Sequence, residues 1–139
     1  MAARDNTYPV NVGGVVIGGG NHVVVQSMTD TDTADVQGTV AQVKLLVDAG
    51  SEIVRVTVNN SDAAKAVPEV NRRLLDLGCN VPLVGDFHFI GHRLLNDYPD
   101  MANTLAKFRI NPGNVGRGLR HDENFTQFIE IAKDLGKPV

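Results

Sequence analysis

The 139-residue chain is one domain's worth of polypeptide, and 42% hydrophobic with 21% charged residues suit a packed globule, not a disordered chain. Thirteen Lys and Arg against 16 Asp and Glu leave a net charge of −3, which argues against broad nucleic-acid binding but leaves a local anion site open. The one cysteine, Cys79, can neither form an internal disulfide nor hold a zinc or iron–sulfur group alone, and no apolar run approaches the ~18 residues of a membrane span.

These features lead us to expect a soluble cytoplasmic protein, since MAARDNTYPV at the start has no apolar signal region. Residues 1–20 form a first segment. Its run VNVGGVVIGGG puts Gly13-Gly14 between two short apolar stretches, a hairpin signal. It is neither a Walker loop nor a dinucleotide fingerprint, because a strand follows it and not a helix. The expected role is a hairpin that plugs or caps one end of a sheet, with ligand binding the lesser reading.

Residues 21–139 then alternate. His22–Val25 (HVVV) reads as a first strand of the main sheet. Residues 34–49 carry Val36, Val40, Val43 and Val47 on one helix stripe, with Asp32 or Thr33 as cap and Gly50 as stop. Ile53–Val58 (IVRVTV) is the second strand. Residues 61–76 form a helix capped by Ser61 or Asp62, with Pro68 expected to split or kink it. Residues 81–89 (VPLVGDFHF) contain the third strand, and residues 91–106 an irregular helix broken at Pro99. Lys107–Ile110 (KFRI) is the fourth strand, and residues 121–136 a helix with Phe125, Phe128, Ile129 and Ala132 on one face. Lys137-Pro138-Val139 resembles the entry to the third strand, so a fifth strand is expected to begin there. Units of this kind define an α/β fold on a parallel sheet. A full (β/α)8 barrel needs roughly 250 residues. The expected architecture is therefore the front half of a TIM barrel, about four βα units, with a small doubly wound domain as the rival.

The strands carry the functional signal. Side chains at i and i+2 share a face. One face thus gathers Gln26 and Met28, then Arg55, then Asp86 and His88, then Arg109 and Asn111. The opposite face, Val54, Val56 and Val58, is apolar. A buried arginine needs an anion or a polar network, and two would converge at the strands' C-terminal ends, where such folds hold their sites. The guanidinium fork suits phosphate oxygens, and His88 can donate to phosphate or act as an acid. Asp86 can orient one of these groups or simply pair with Arg55 or Arg109. The loop GNVGRG at 113–118 could turn backbone N–H groups to an anion. The pattern points to a polyanionic small molecule, a diphosphate above all. Other polar residues read more plainly: His22, His92 and His121 as surface or capping groups, Cys79 as an unreactive thiol, and Thr29–Thr33 as capping in a βα loop, with substrate contact possible there.

Four segments together, VQSMTDTDTAD (25–35), AGSEIVRVTV (49–58), PLVGDFHF (82–89) and FRINPGNVG (108–116), resemble the N-terminal barrel of the bacterial 4-hydroxy-3-methylbut-2-enyl diphosphate synthase family. The resemblance implies a reductive opening of 2-C-methyl-D-erythritol 2,4-cyclodiphosphate in non-mevalonate isoprenoid biosynthesis. It implies diphosphate and polar contacts at Arg55, His88, Arg109 and Asn111, with Gln26, Met28 and Asp86 near that pocket. It further implies a 4Fe-4S cluster on a separate C-terminal domain, electrons from flavodoxin or ferredoxin, and a homodimer. The sequence departs from the family in lacking cluster cysteines and that second domain, so the chain alone is expected to be inactive. Gly85 and Phe87 stand where the family often has Ala and Ile. Two alternatives stay open: a pterin-binding barrel of the dihydropteroate synthase type, in which Asp86 and Asn111 would serve the ring, and a non-catalytic half barrel that pairs with another chain.

Overall fold

Residues 6–116 and 118–139 are described in the computed structural model. Strands β1 (Val10–Val12) and β2 (Val15–Ile17) pair antiparallel, with Val12 opposite Val15. Gly13 and Gly14 join them at φ +57° and +99°, a left-handed pair that only glycine adopts without strain. The expected hairpin is present.

The chain then continues through β3 (Gln26–Met28), α1 (Val36–Asp48), β4 (Ile53–Val58), α2 (Ser61–Asp76), β5 (Leu83–Phe87), α3 (Gly91–Asp97), α4 (Pro99–Thr104), β6 (Lys107–Ile110) and α5 (Leu119–Asp134). The four strands β3-β4-β5-β6 lie side by side in chain order and all parallel. A doubly wound sheet reverses its strand order at a switch point. This one does not, so the fold is the partial TIM barrel. Its two faces have different partners. Val54, Val56, Val58, Phe87 and Phe108 join the helices in one core, where Phe87, Phe108 and Phe128 meet edge to face at 5.5–6.0 Å between centroids. On the other face Ile53 and Val84 pack on Val12, so the hairpin closes the inner side near the strands' N-terminal ends.

Several local expectations are corrected. The first main-sheet strand is Gln26–Met28, the stretch that places Gln26 and Met28 on the inner face as expected, and it does not extend back over His22–Val25. Residues 22–25 are tied to the start of β4 by Glu52, whose carboxylate accepts from the Val25 N–H at 2.8 Å and meets His22 Nε2 at 2.7 Å. Val23 stays 90% exposed and Val25 52%, while Val24 between them packs, partly buried, against the cluster of Val12, Ile53 and Val84. The third strand is shorter than expected, because after Phe87 the His88 carbonyl accepts from Gly91 N and turns the chain into α3. Asp35 caps α1, accepting from Gly38 N at 3.0 Å, whereas Asp32 accepts from Ala34 N and Thr33 donates to the Thr57 carbonyl. Asn60 caps α2 in place of Ser61 or Asp62. Pro68 lies inside α2 without dividing it, whereas Pro99 begins α4 and does split the 91–106 segment. Helix α5 starts at Leu119, two residues before its expected start. The Phe108 N–H donates to the Pro138 carbonyl at 3.1 Å, which brings residue 138 beside β6, but no fifth strand forms at residues 137–139.

Candidate anion site at the strand ends

The register builds the site layer by layer. Met28, Arg55, Val84 and Lys107 form one row across the four strands. Thr57, Asp86 and Arg109 form the next row of that face, two residues nearer the C-terminal ends. The apolar plug of Val12, Ile53 and Val84 occupies the other end of this face.

Asp86 is the junction. It is only 4% exposed. Its Oδ1 accepts from Arg109 Nη1 at 3.0 Å, and its Oδ2 lies 3.7 Å from Arg55 Nε. Arg55 Nε also donates to Met28 Sδ at 3.4 Å. One carboxylate thus serves two guanidinium groups and leaves the cluster an excess of one positive charge. The arginine side chains remain 28% and 36% exposed. They reach the mouth while the carboxylate stays beneath them.

The other expected residues stand around this centre. Gln26 is exposed and registers with Ile53, one layer below Arg55. His88 is half-buried just past the end of β5. Asn111 caps the short 3-10 turn Pro112–Asn114, its Oδ1 accepting from Gly113 N at 3.0 Å. Residue 117 of the expected anion loop lies outside the described residues, as do residues 1–5 of the first segment. From α5, Asn124 donates to the Val115 carbonyl at 2.7 Å, and His121 bonds the Pro112 carbonyl and Asp122. Asp122 first, then that carbonyl, raises the His121 pKa above its ordinary value. His121 therefore anchors the loop after Asn111, beyond the plain surface or capping role read for it.

Thr57 shares the face of Arg55 as counting in twos along the second strand predicts, whereas Lys107, two positions back from Arg109 on the same face, is the residue that sequence reasoning missed. Beside the site, at the ends of β3 and β4, a cavity of about 310 Å³ is lined by Asp30, Thr31, Asp32, Thr33, Thr57, Asn59 and Asn60. Two larger hollows of about 530 and 630 Å³ flank the hairpin at the opposite end, away from the arginines. Cys79 is buried and borders the larger of these. Among the described residues no three His, Cys, Asp or Glu side chains group as a metal site, and no helix is long and apolar enough to cross a membrane.

Sheet, plug and strand-end cations together define a TIM-barrel domain of the kind that holds its ligand at the C-terminal mouth. The family model of the GcpE TIM-barrel domain matches residues 7–139. The chain belongs to this family, the 4-hydroxy-3-methylbut-2-enyl diphosphate synthases of isoprenoid biosynthesis, as its N-terminal barrel portion. The match displaces the pterin-barrel alternative.

Proposed function

We propose that this chain is the substrate-binding part of an enzyme that reductively opens 2-C-methyl-D-erythritol 2,4-cyclodiphosphate to 4-hydroxy-3-methylbut-2-enyl diphosphate. The observation that carries the reading is the pair Arg55 and Arg109 on one buried carboxylate at the strand ends. Guanidinium forks bind phosphate oxygens with charge-assisted bonds. Here they would hold the diphosphate, with His88 and Asn111 at the rim and Met28 and Gln26 along β3. Closely held phosphate oxygens fix the orientation of the ring relative to the mouth, the positional part of catalysis.

The family's 4Fe-4S cluster supplies the electrons for such an opening. The residues of this chain do not fit that group: the single thiol, Cys79, is buried away from the mouth. In the proposed reading the cluster belongs to a separate C-terminal domain, is fed by flavodoxin or ferredoxin in the cytoplasm, and works in a homodimer. The isolated chain then opens no substrate even with reductant and flavodoxin present, and turnover by it would overturn that part.

The binding role is tested by Arg55→Ala and Arg109→Ala in the complete synthase. Each is expected to weaken substrate binding by ~2–4 kcal/mol, the worth of one or two charge-assisted bonds. Unchanged KM and rate in both variants would refute the site.

A further inference from the structure

We infer that Asp86 is a positioning residue, acting on the ligand through Arg55 and Arg109 without touching it. The inference rests on the anion-site reading and specifies how that site is held. Both carboxylate oxygens face cations, Oδ1 at 3.0 Å from Arg109 Nη1 and Oδ2 at 3.7 Å from Arg55 Nε. The Asp86 side chain is 6% exposed, beneath arginines exposed at 28% and 36%. A ligand arriving at the mouth meets guanidinium first. Arg109 gives Asp86 a bond from Nη1, and Arg55 turns Nε towards Asp86 and Met28. Five N–H donors per guanidinium leave the remaining donors of each fork for phosphate oxygens.

Two effects of the carboxylate oppose each other. Its negative charge lowers the potential of the mouth and repels a diphosphate. It also offsets the repulsion between two like charges that share one site, and it fixes two flexible side chains before the ligand binds. The 3.0 Å bond from a partly buried arginine to a buried acceptor makes the second effect the larger. Removing the charge therefore weakens anion binding, although electrostatics alone would strengthen it.

The test uses the complete synthase and inorganic pyrophosphate, an anion with none of the substrate's carbon-bound hydroxyls to offer a carboxylate. Asp86→Asn keeps size and shape. It is expected to raise the pyrophosphate Kd about tenfold, the loss of one charge-assisted bond. Asp86→Glu, which restores the charge, should recover most of that loss. In an Arg109→Ala background, Asp86→Asn should add less than about a twofold change, because its main partner is gone. If Asp86→Asn does not fold, the smaller loss in Asp86→Glu and its disappearance in the Arg109→Ala background carry the same comparison. Pyrophosphate binding that is unchanged or tighter in the Asp86 variants overturns the inference, as does an equal loss with and without Arg109. Arg55→Ala and Arg109→Ala proteins that bind pyrophosphate as the parent does would instead overturn the anion site itself.

Discussion

Gly85 and Phe87 form an exchangeable packing unit on the helix-facing side of β5, and their coupling can be worked out from the structure. A Cβ built on Gly85 would lie 2.5 Å from Leu105 Cδ1 and 2.8 Å from Phe87 Cε2. The Phe87 ring therefore folds back over its neighbour two residues away. It cannot easily retreat, because Phe108 and Phe128 hold it edge to face at 5.7 and 5.5 Å. Gly91 crowds it too: a Cβ there would be 2.7 Å from Phe87 Cβ. Gly85→Ala alone should then cost ~1–3 kcal/mol as overpacking. Phe87→Ile alone should cost about 2 kcal/mol, through lost buried area and two lost aromatic contacts. In the double variant the alanine methyl is relieved of the ring on one side, while the Leu105 side chain must still give way on the other. The two costs should fall short of their sum by about 1–2 kcal/mol. Urea unfolding followed by circular dichroism measures the cycle, and each kcal/mol moves the thermal midpoint by about 4 °C in a chain of this size. Additivity within about 0.5 kcal/mol would refute the reasoning.

The hairpin and an exposed ion-pair cluster give two further tests. Val12→Ala should cost about 2 kcal/mol, because Val12 is fully buried against Ile53 and Val84. Val10→Ala on the same hairpin, at an exposed position, should cost less than about 0.5 kcal/mol; equal losses in urea unfolding would show that the hairpin is not a plug. The Glu69 carboxyl accepts from Arg72 and Arg73, which depress its pKa from 4.5 to about 2. A depressed carboxyl stabilises the fold above its ordinary pKa, so this contribution is present in full above about pH 4.5 and is lost as pH falls through about 2. Side-chain NMR titration should find that midpoint, and Arg72→Gln should move it upward; a midpoint near 4.5 in the parent would contradict the cluster.

Strand period and order were legible in the sequence because buried strands write themselves as Val and Ile runs with every second position marked. Arg55, Asp86 and Arg109 came onto one face by counting in twos, and Asp86 does pair with the arginines. What counting could not show was that one carboxylate serves both. That depends on the register Asp86 opposite Arg109 and Arg55 opposite Val84, a property of strand stagger. The valines at 23–25 misled for a related reason. Residue type suggested a core strand, but Val23 and Val25 stay exposed, and Val25 is held beside the start of β4 both by the Glu52 carboxylate and by the Glu52 and Ile53 N–H groups donating to its carbonyl. Caps were misread by a few residues because several Asp, Asn, Ser and Thr side chains stand near each helix start, and only geometry selects among them.

The inner face of the sheet is divided along the strands, and that division explains why the cations can be there at all. Towards the N-terminal ends, the hairpin brings Val12 onto Ile53 and Val84 and excludes water. One layer further on, an isolated guanidinium against that dry floor would be costly. Asp86 offsets the cost from the next layer, and openness towards the mouth supplies the rest of the solvation. The hairpin and Asp86 thus do complementary work. The first closes the floor so that the face ends in one direction only, and the second keeps two cations within reach of a common ligand at that end. A change that opens the floor should therefore loosen the arginines as well as the core, so the Val12 and Asp86 substitutions are expected to be coupled through Arg55, which pairs in register with Val84 of the plug and lies 3.7 Å from Asp86 Oδ2.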